Sequence, residues 1–286
     1  MKLNFLENAG CEYFYFKDVF DVVNKEFGDD YNVVVGKITY NSESQIEQLL
    51  KAIKCVIPNK KNVFLIHDDE NEAPTPCKSL NGFDLIFRTF NNNWKFDNQR
   101  TFPLPLGYVT NSDYPYKVVL NKFKLRPLKE RKCDIFFSGQ TNLERESCVK
   151  EAKKLNANSL LQLTPGFFQG HELNEYFDLM NNSKIALVPR GSLFTESYRY
   201  FDAYHANCIV ITTMPLDKTH SNVWYYHNSP AVRIGDWSQL NQKLIDSLLN
   251  DLDKYELLNK EYYDRCISPE GVAKYMIEVM KNRFEV

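Results

Sequence analysis

Residues 183–213, SKIALVPRGSLFTESYRYFDAYHANCIVITT, set the class of fold. KIALV is a short apolar run bounded by Ser183 and Pro189, the pattern of a buried parallel strand. PRGS breaks the run, and Thr195 with Glu196 gives a helix start. SYRYFDAYHA is predicted to be helical and to stop at Asn207, one of the few non-glycine residues that tolerates a left-handed cap. CIVI then reads as the next strand. The product is a β–α–β unit with a small, positively charged loop at the carboxyl end of its first strand. In open α/β sheets that edge is where ligands bind.

The polar residues of this edge suit a phosphate-type anion attached to a sugar. Gly191 lets backbone N–H groups approach a phosphate, and the helix N-terminus behind it adds about half a positive charge. Arg190 offers a planar fork of donors. Arg199 and Asp202, three apart, share a helix face, with Arg199 placed to reach a diphosphate and Asp202 to accept from ribose hydroxyls. The same residues also read as an ordinary helix with an intrahelical Arg–Asp pair and a loop that merely turns, because short phosphate-loop patterns recur by chance.

The pattern S-K-x-A-L-V-P-x-G, then E-S-x-R-x-F-[DE]-A, then A-x-C-I resembles the donor-binding segment of exostosin-like glycosyltransferases. The matching residues are Ser183, Leu187, Pro189, Gly191, Ser197, Arg199, Asp202, Ala203 and Cys208. Upstream, IHDDE at 66–70, FDLIFRTF at 83–90 and PLPLGY at 103–108 resemble the series in that family's first lobe. FFSG at 136–139 resembles the glycine turn that opens its second. Two departures are visible: Asp202 stands where the family usually has Glu, and Ala-Asn-Cys-Ile-Val-Ile replaces its small-Gly-Cys-Ile-Pro-Val ending.

The resemblance implies an α/β protein of the GT-B type, two Rossmann-like lobes facing across a cleft. It divides the chain into an acceptor-side lobe (1–120), a basic linker (121–132), a nucleotide-sugar lobe (133–267) and a terminal helix returning to the first lobe (268–286). It implies inverting, metal-independent transfer of a sugar from a nucleotide-diphosphate sugar, a UDP-sugar, to a hydroxyl of a glycan or lipid-linked glycan, such as a capsule or lipopolysaccharide unit. Alternation of strand and helix patterns along the chain supports the α/β class by itself, without deciding between one large sheet and two lobes.

Glycosyl transfer needs a stabilised leaving diphosphate, a deprotonated acceptor hydroxyl and an aligned anomeric carbon. Leaving-group stabilisation falls to Arg190, Arg199, Ser197 and the backbone of Gly191, with Gly139 at the neighbouring turn. No metal is required if these suffice, and no Asp-x-Asp motif lies on a suitable loop. Asp68, Asp69 and Glu70 follow a strand, and their mutual repulsion raises at least one pKa. The resemblance favours Glu70, then Asp69, as general base over solvated turn acids. Arg88, charged within an apolar strand, either orients that acidic turn or marks an exposed strand end. Tyr108 either lines the cleft or only packs. Other readings are a transferase in which Asp68 and Glu70 hold Mn²⁺ or Mg²⁺, a catalytically silent nucleotide-sugar-binding partner subunit, and a glycan-binding module.

Composition bounds these readings. A chain of 286 residues has room for about two domains, and 43% hydrophobic residues suffice for their cores. A formal net charge of −2 marks no global basic surface, so nucleic acid is excluded from the expected partners. Seven cysteines without CxxC spacing read as reduced thiols. His67 and His205 read as structural rather than catalytic. The N-terminus lacks a signal-peptide pattern, and no apolar run reaches the ~18 residues of a membrane helix. A cytoplasmic protein is expected. The stretch NKFKLRPLKERK at 121–132 is a solvated connector, or a basic strip giving peripheral membrane association.

Overall fold

The computed structural model describes residues 2–6, 12–27, 29–37, 50–67, 80, 82–89, 100–110, 124–166, 169–191, 196–214 and 223–284. The first lobe contains β1 (Lys2–Phe5), α1 (Tyr13–Glu26), β2 (Tyr31–Lys37), β3 (Lys61–His67), β4 (Leu85–Arg88) and β5 (Thr101–Pro103). Its strands form a parallel sheet in the order β1-β2-β3-β4-β5. Tyr15, Phe16, Val19, Phe20 and Val23 repeat at helical spacing on α1 and are all buried. They pack on Val33, Val35, Val63, Leu65, Leu85 and Phe87, the alternate residues of β2, β3 and β4. The intervening residues Val34, Phe64, Ile66 and Ile86 form a separate cluster on the opposite face.

The second lobe contains β6 (Cys133–Gln140), α2 (Leu143–Ala152), β7 (Ser159–Thr164), α3 (Leu173–Asn181), β8 (Ser183–Val188), α4 (Tyr198–His205), β9 (Ile209–Thr212) and β10 (Val232–Arg233). Three helices close the chain, α5 (Gln242–Asn250), α6 (Leu252–Cys266) and α7 (Pro269–Phe284). This sheet is also parallel, in the order β10-β9-β8-β6-β7. From β6 the chain moves outward to β7, then crosses back to place β8 on the other side of β6. That reversal is a topological switch point, and it opens a crevice at the carboxyl ends of β6 and β8.

The decisive stretch folds as strand, loop, helix, strand, with local differences. Asn207 takes the left-handed conformation, φ 54°. The helix begins at Tyr198 after an extended Ser197, later than Glu196, while Thr195 lies outside the described residues. The reason lies in Glu196, whose side chain turns inward, where Oε1 accepts from the hydroxyls of Tyr225 and Tyr226 at 2.7 Å each. The described part of the basic stretch, 124–132, is mostly exposed, but Leu128 and Arg131 turn inward. Arg131 is buried, and its guanidinium donates to the carbonyls of Arg126 (2.9 Å), Ser183 (2.8 Å) and Ala206 (2.8 Å). It therefore joins the start of β8 to the end of α4.

The lobes meet along a well-packed seam. Helix α7 adds Val272, Ala273, Met276, Val279 and Met280 to the core beneath α1, and Tyr15 Oη donates to the Ile267 carbonyl at 2.8 Å. Residues 104–110 run the other way, with Leu106 and Val109 entering the core of the second lobe. Between them Gly107 has φ 77° and sits against the Tyr15 ring, where a Cβ would overlap ring carbons. Tyr108 is correspondingly packed, edge-on to Tyr15 and stacked on His205 with ring centroids 3.7 Å apart. Trp224 Nε1 donates to the Pro103 carbonyl at 3.0 Å. Among the described residues, Cys55, Cys133, Cys148, Cys208 and Cys266 are free thiols, and no helix is long and apolar enough to cross a membrane.

Gly107→Ala is expected to destabilise the protein by about 1–3 kcal/mol, since it forces a side chain into a left-handed residue and into the Tyr15 ring. Urea unfolding of the variant and the parent checks this.

Candidate functional site

Helix α4 sends Arg199 into the crevice at the switch point. Its Nε donates to the Ser138 carbonyl at 2.6 Å, Nη1 lies 3.5 Å from Ser197 Oγ, and the guanidinium carbon is 5.5 Å from the Phe137 ring centroid. A Cβ on residue 139 would overlap the guanidinium, so Gly139 is what lets Arg199 rest on the end of β6. These contacts engage two of the five N–H donors of the guanidinium. Arg199, Ser197 and Gly139 are thus brought together at the edge where anions bind in such sheets.

Arg190 and Gly191 follow β8 on the same edge. Arg190 Nε pairs with Glu144 Oε2 at 3.0 Å, and its backbone N–H reaches Glu144 Oε1 at 3.3 Å. Thr213 Oγ1 donates to the same Oε1. Glu144 lies in the first turn of α2, where a helix favours a carboxylate. One carboxylate therefore ties the loops after β6, β8 and β9, and it balances the charge of Arg190. Among the described residues, the positive character of the crevice rests on Arg199 and the amino end of α4.

Asp202 shares α4 with Arg199 but serves the seam. Oδ1 accepts from the backbone N–H of Val109 in the first lobe at 3.0 Å, and Oδ2 from Tyr176 Oη at 3.2 Å. The side chain is 3% exposed, and burial pushes its pKa up to about 7 against the pull of those donors and of Arg199. Arg199 forms no salt bridge with it among the described residues. His205, on the same helix, has its pKa lowered to about 3 by burial, so it is neutral, and its Nδ1 shares a hydrogen bond with Tyr263 Oη at 3.0 Å.

A second polar group crosses the seam one residue from Arg199. Tyr198 Oη donates to Oε1 of Glu12, the residue preceding α1, and Glu12 Oε2 lies 3.7 Å from Nδ1 of His67 at the end of β3. Glu12 and His67 are both fully buried. Sequence patterns do not single out Glu12, which sits in no motif. Glu196 and Tyr198 stand inside the quoted stretch, but nothing local reveals that one turns inward and the other reaches the first lobe. Asp69 and Glu70 lie outside the described residues. Arg88 is buried at the end of β4 and alternates onto the face opposite His67. Among the described residues, no group of three or more His, Cys, Asp or Glu is placed to hold a metal ion.

With this geometry in hand, the chain can be set against known proteins. No family model matches it, and no curated protein matches it by sequence. The exostosin resemblance therefore stands on its motifs alone. Among solved structures, two of an α-glucosyltransferase in complex with UDP and a 13-mer DNA containing an HMU base superpose on 95% and 93% of this chain. Those alignments cover 84% and 83% of the other chain, with TM-scores of 0.53 and 0.51 at 11% and 10% identity. Alr3699/HepE of Anabaena, solved with UDP and glucose, aligns over 92% of this chain and 81% of its own at TM-score 0.46 and 10% identity. The fold is the two-lobed, Rossmann-like GT-B architecture.

One sequence expectation is corrected by this comparison. Near-neutral net charge argues against a nucleic-acid partner, yet the fold is shared with an enzyme captured on DNA. Net charge is a sum over the whole surface, whereas phosphate contacts need only a local positive strip.

The raised pKa of Asp202 gives a sign for stability. The folded carboxyl keeps its proton up to about pH 7, while the unfolded chain releases it near pH ~4. In that window the folded state binds the additional proton, so stability falls as pH rises through it. Asp202→Asn keeps an acceptor for Val109 and offers a donor to Tyr176. The variant is expected to flatten the melting-temperature profile over this window and to melt above the parent at pH ~8, checked by thermal melts across pH.

Proposed function

We propose that the protein is a glycosyltransferase that moves a sugar from a UDP-sugar to an acceptor hydroxyl without a metal ion. The observation that carries this reading is Arg199 laid on Gly139 at the switch point of the second lobe. A diphosphate seated there meets the outer N–H groups of Arg199, the hydroxyl of Ser197, the backbone of Gly191 and the amino end of α4. Arg190 can join once the diphosphate displaces Glu144 from it. The UDP in the complexes of the similarly folded α-glucosyltransferase supports the choice of nucleotide.

The reaction proposed is inverting: the acceptor oxygen attacks the anomeric carbon as its proton leaves to a base, and the bond to the diphosphate breaks with its electron pair going to UDP. Glu70, and after it Asp69, are the base candidates from the motif resemblance. A glycan hydroxyl is the acceptor that resemblance implies. A second acceptor, the hydroxymethyl group of a modified base in DNA, is favoured by the DNA complexes of the same fold.

Calorimetry with UDP and a panel of UDP-sugars, with and without EDTA, tests the donor site. UDP is expected to bind equally in EDTA, and Arg199→Ala to weaken it by about 10- to 100-fold, the value of a lost charge-assisted hydrogen bond. Gly139→Ala is expected to reproduce that loss by displacing the guanidinium. Absence of UDP binding by the parent protein would sink the donor site. Transfer of labelled sugar to HMU-containing DNA or to oligosaccharides then decides the acceptor, and NMR of the new anomeric centre decides the stereochemistry.

A further inference from the structure

Glu12 and His67 present a buried polar pair with unmet bonding capacity. Among the described residues, Glu12 Oε2 and both ring nitrogens of His67 are sealed from solvent with no hydrogen-bond partner, and the 3.7 Å between them exceeds a hydrogen bond. Structural histidines are normally satisfied, and an unsatisfied buried group in a native protein calls for an explanation, a catalytic role among them. The location supplies one. His67 ends β3, at the carboxyl edge of the first lobe's sheet, on the face covered by α1. It stands across the seam from Tyr198, the first residue of the helix that carries Arg199. A group that must take a proton from an acceptor held by the first lobe, close to a diphosphate held by the second, belongs at this place.

We propose that His67 is a general base of the transfer reaction, and that Glu12 is a positioning residue that orients its imidazole and offsets the charge it gains. The proposal rests on the glycosyltransferase reading given above. In the step, the acceptor hydroxyl proton passes to Nε2 of His67 as the acceptor oxygen bonds to the anomeric carbon. The bond from that carbon to the diphosphate oxygen breaks, and its electron pair leaves with UDP. Glu12 Oε2 closes on Nδ1–H as the ring becomes imidazolium, in the way catalytic hydrogen bonds tighten along a reaction. Tyr198 holds the other carboxylate oxygen, so the base is set in position only when α4 is docked on the first lobe. In the arrangement seen here the pair is closed off; the acceptor enters when the lobes part along this seam, and transfer follows once they close again and Tyr198 is back on Glu12.

Among the described residues, the charged and titratable groups near His67 are few. Glu12 faces it from the start of α1, and the Phe16 ring packs 5.9 Å away. Tyr198 on α4 acts through Glu12, and Asp202 on the same helix lies near enough to feel the charge of Glu12. Arg88 on β4 is on the opposite face.

The test measures UDP binding by calorimetry and sugar transfer as a function of pH for the parent, His67→Gln, Glu12→Gln and Glu70→Gln. His67→Gln is expected to bind UDP within about twofold of the parent while transfer falls by about 10²–10⁴-fold, the range for loss of a general base. The acid limb of the parent's pH profile disappears from its residual rate. Glu12→Gln is expected to keep UDP binding and to move that limb to lower pH, because a neighbouring anion no longer favours the imidazolium. If His67→Gln does not fold, the shift in Glu12→Gln decides alone. A folded His67→Gln that transfers within threefold of the parent, or a Glu12→Gln profile with an unmoved limb, overturns the proposal, as does loss of the limb in Glu70→Gln alone. A parent that binds no UDP is a different failure, that of the donor site itself.

Discussion

The carboxylate of Asp202 reaches from helix α4 of the second lobe to the backbone N–H of Val109 in the other lobe. A charge in this position is expensive to bury, and its raised pKa records that cost. The cost is offset by two directed donors, one from each side of the seam, and by the packing of Leu106 and Val109 into the second core. Because Arg199 and Tyr198 sit on the same short helix, fixing Asp202 fixes them too. The depth to which Arg199 enters the crevice and the reach of Tyr198 to Glu12 both follow from where this one helix is docked.

Within the crevice, geometry is set by what is missing from residue 139. Any side chain there would stand where the guanidinium of Arg199 lies, and the arginine would then lose its bond to the Ser138 carbonyl. Charge is arranged with similar economy. Glu144 neutralises Arg190 and ties three loops, leaving Arg199 and the helix end as the positive groups. An anion entering this crevice would have to compete with a carboxylate already there, a contest that a strongly charged group wins over a weakly charged one.

The same comparison that fixes the fold removes an argument from composition. A chain with a net charge of −2 shares its architecture with an enzyme solved on DNA. What matters for a polyanionic partner is the arrangement of basic side chains, and folding redistributes them. Arg131 illustrates this, since it stands in the most basic stretch of the chain and yet spends its donors on three backbone carbonyls inside the second lobe.

Much of the framework is written locally. The apolar runs of β3, β6 and β8, the helical spacing of α1 and the left-handed Asn207 after α4 follow from periodicity and from the backbone angles each residue permits, and these act over a few residues. Arg199, Ser197 and Gly139 were recognisable as neighbours for the same reason: strand ends and helix starts bring them to one edge. Other assignments depend on contacts between distant parts of the chain. Asp202 reads as a ribose ligand until Val109, 93 positions earlier, is seen to occupy it. Glu12 carries no signal at all until Tyr198, 186 residues away, donates to it across the seam. The packing of one lobe on the other chooses those partners, and no pattern within either segment encodes that choice.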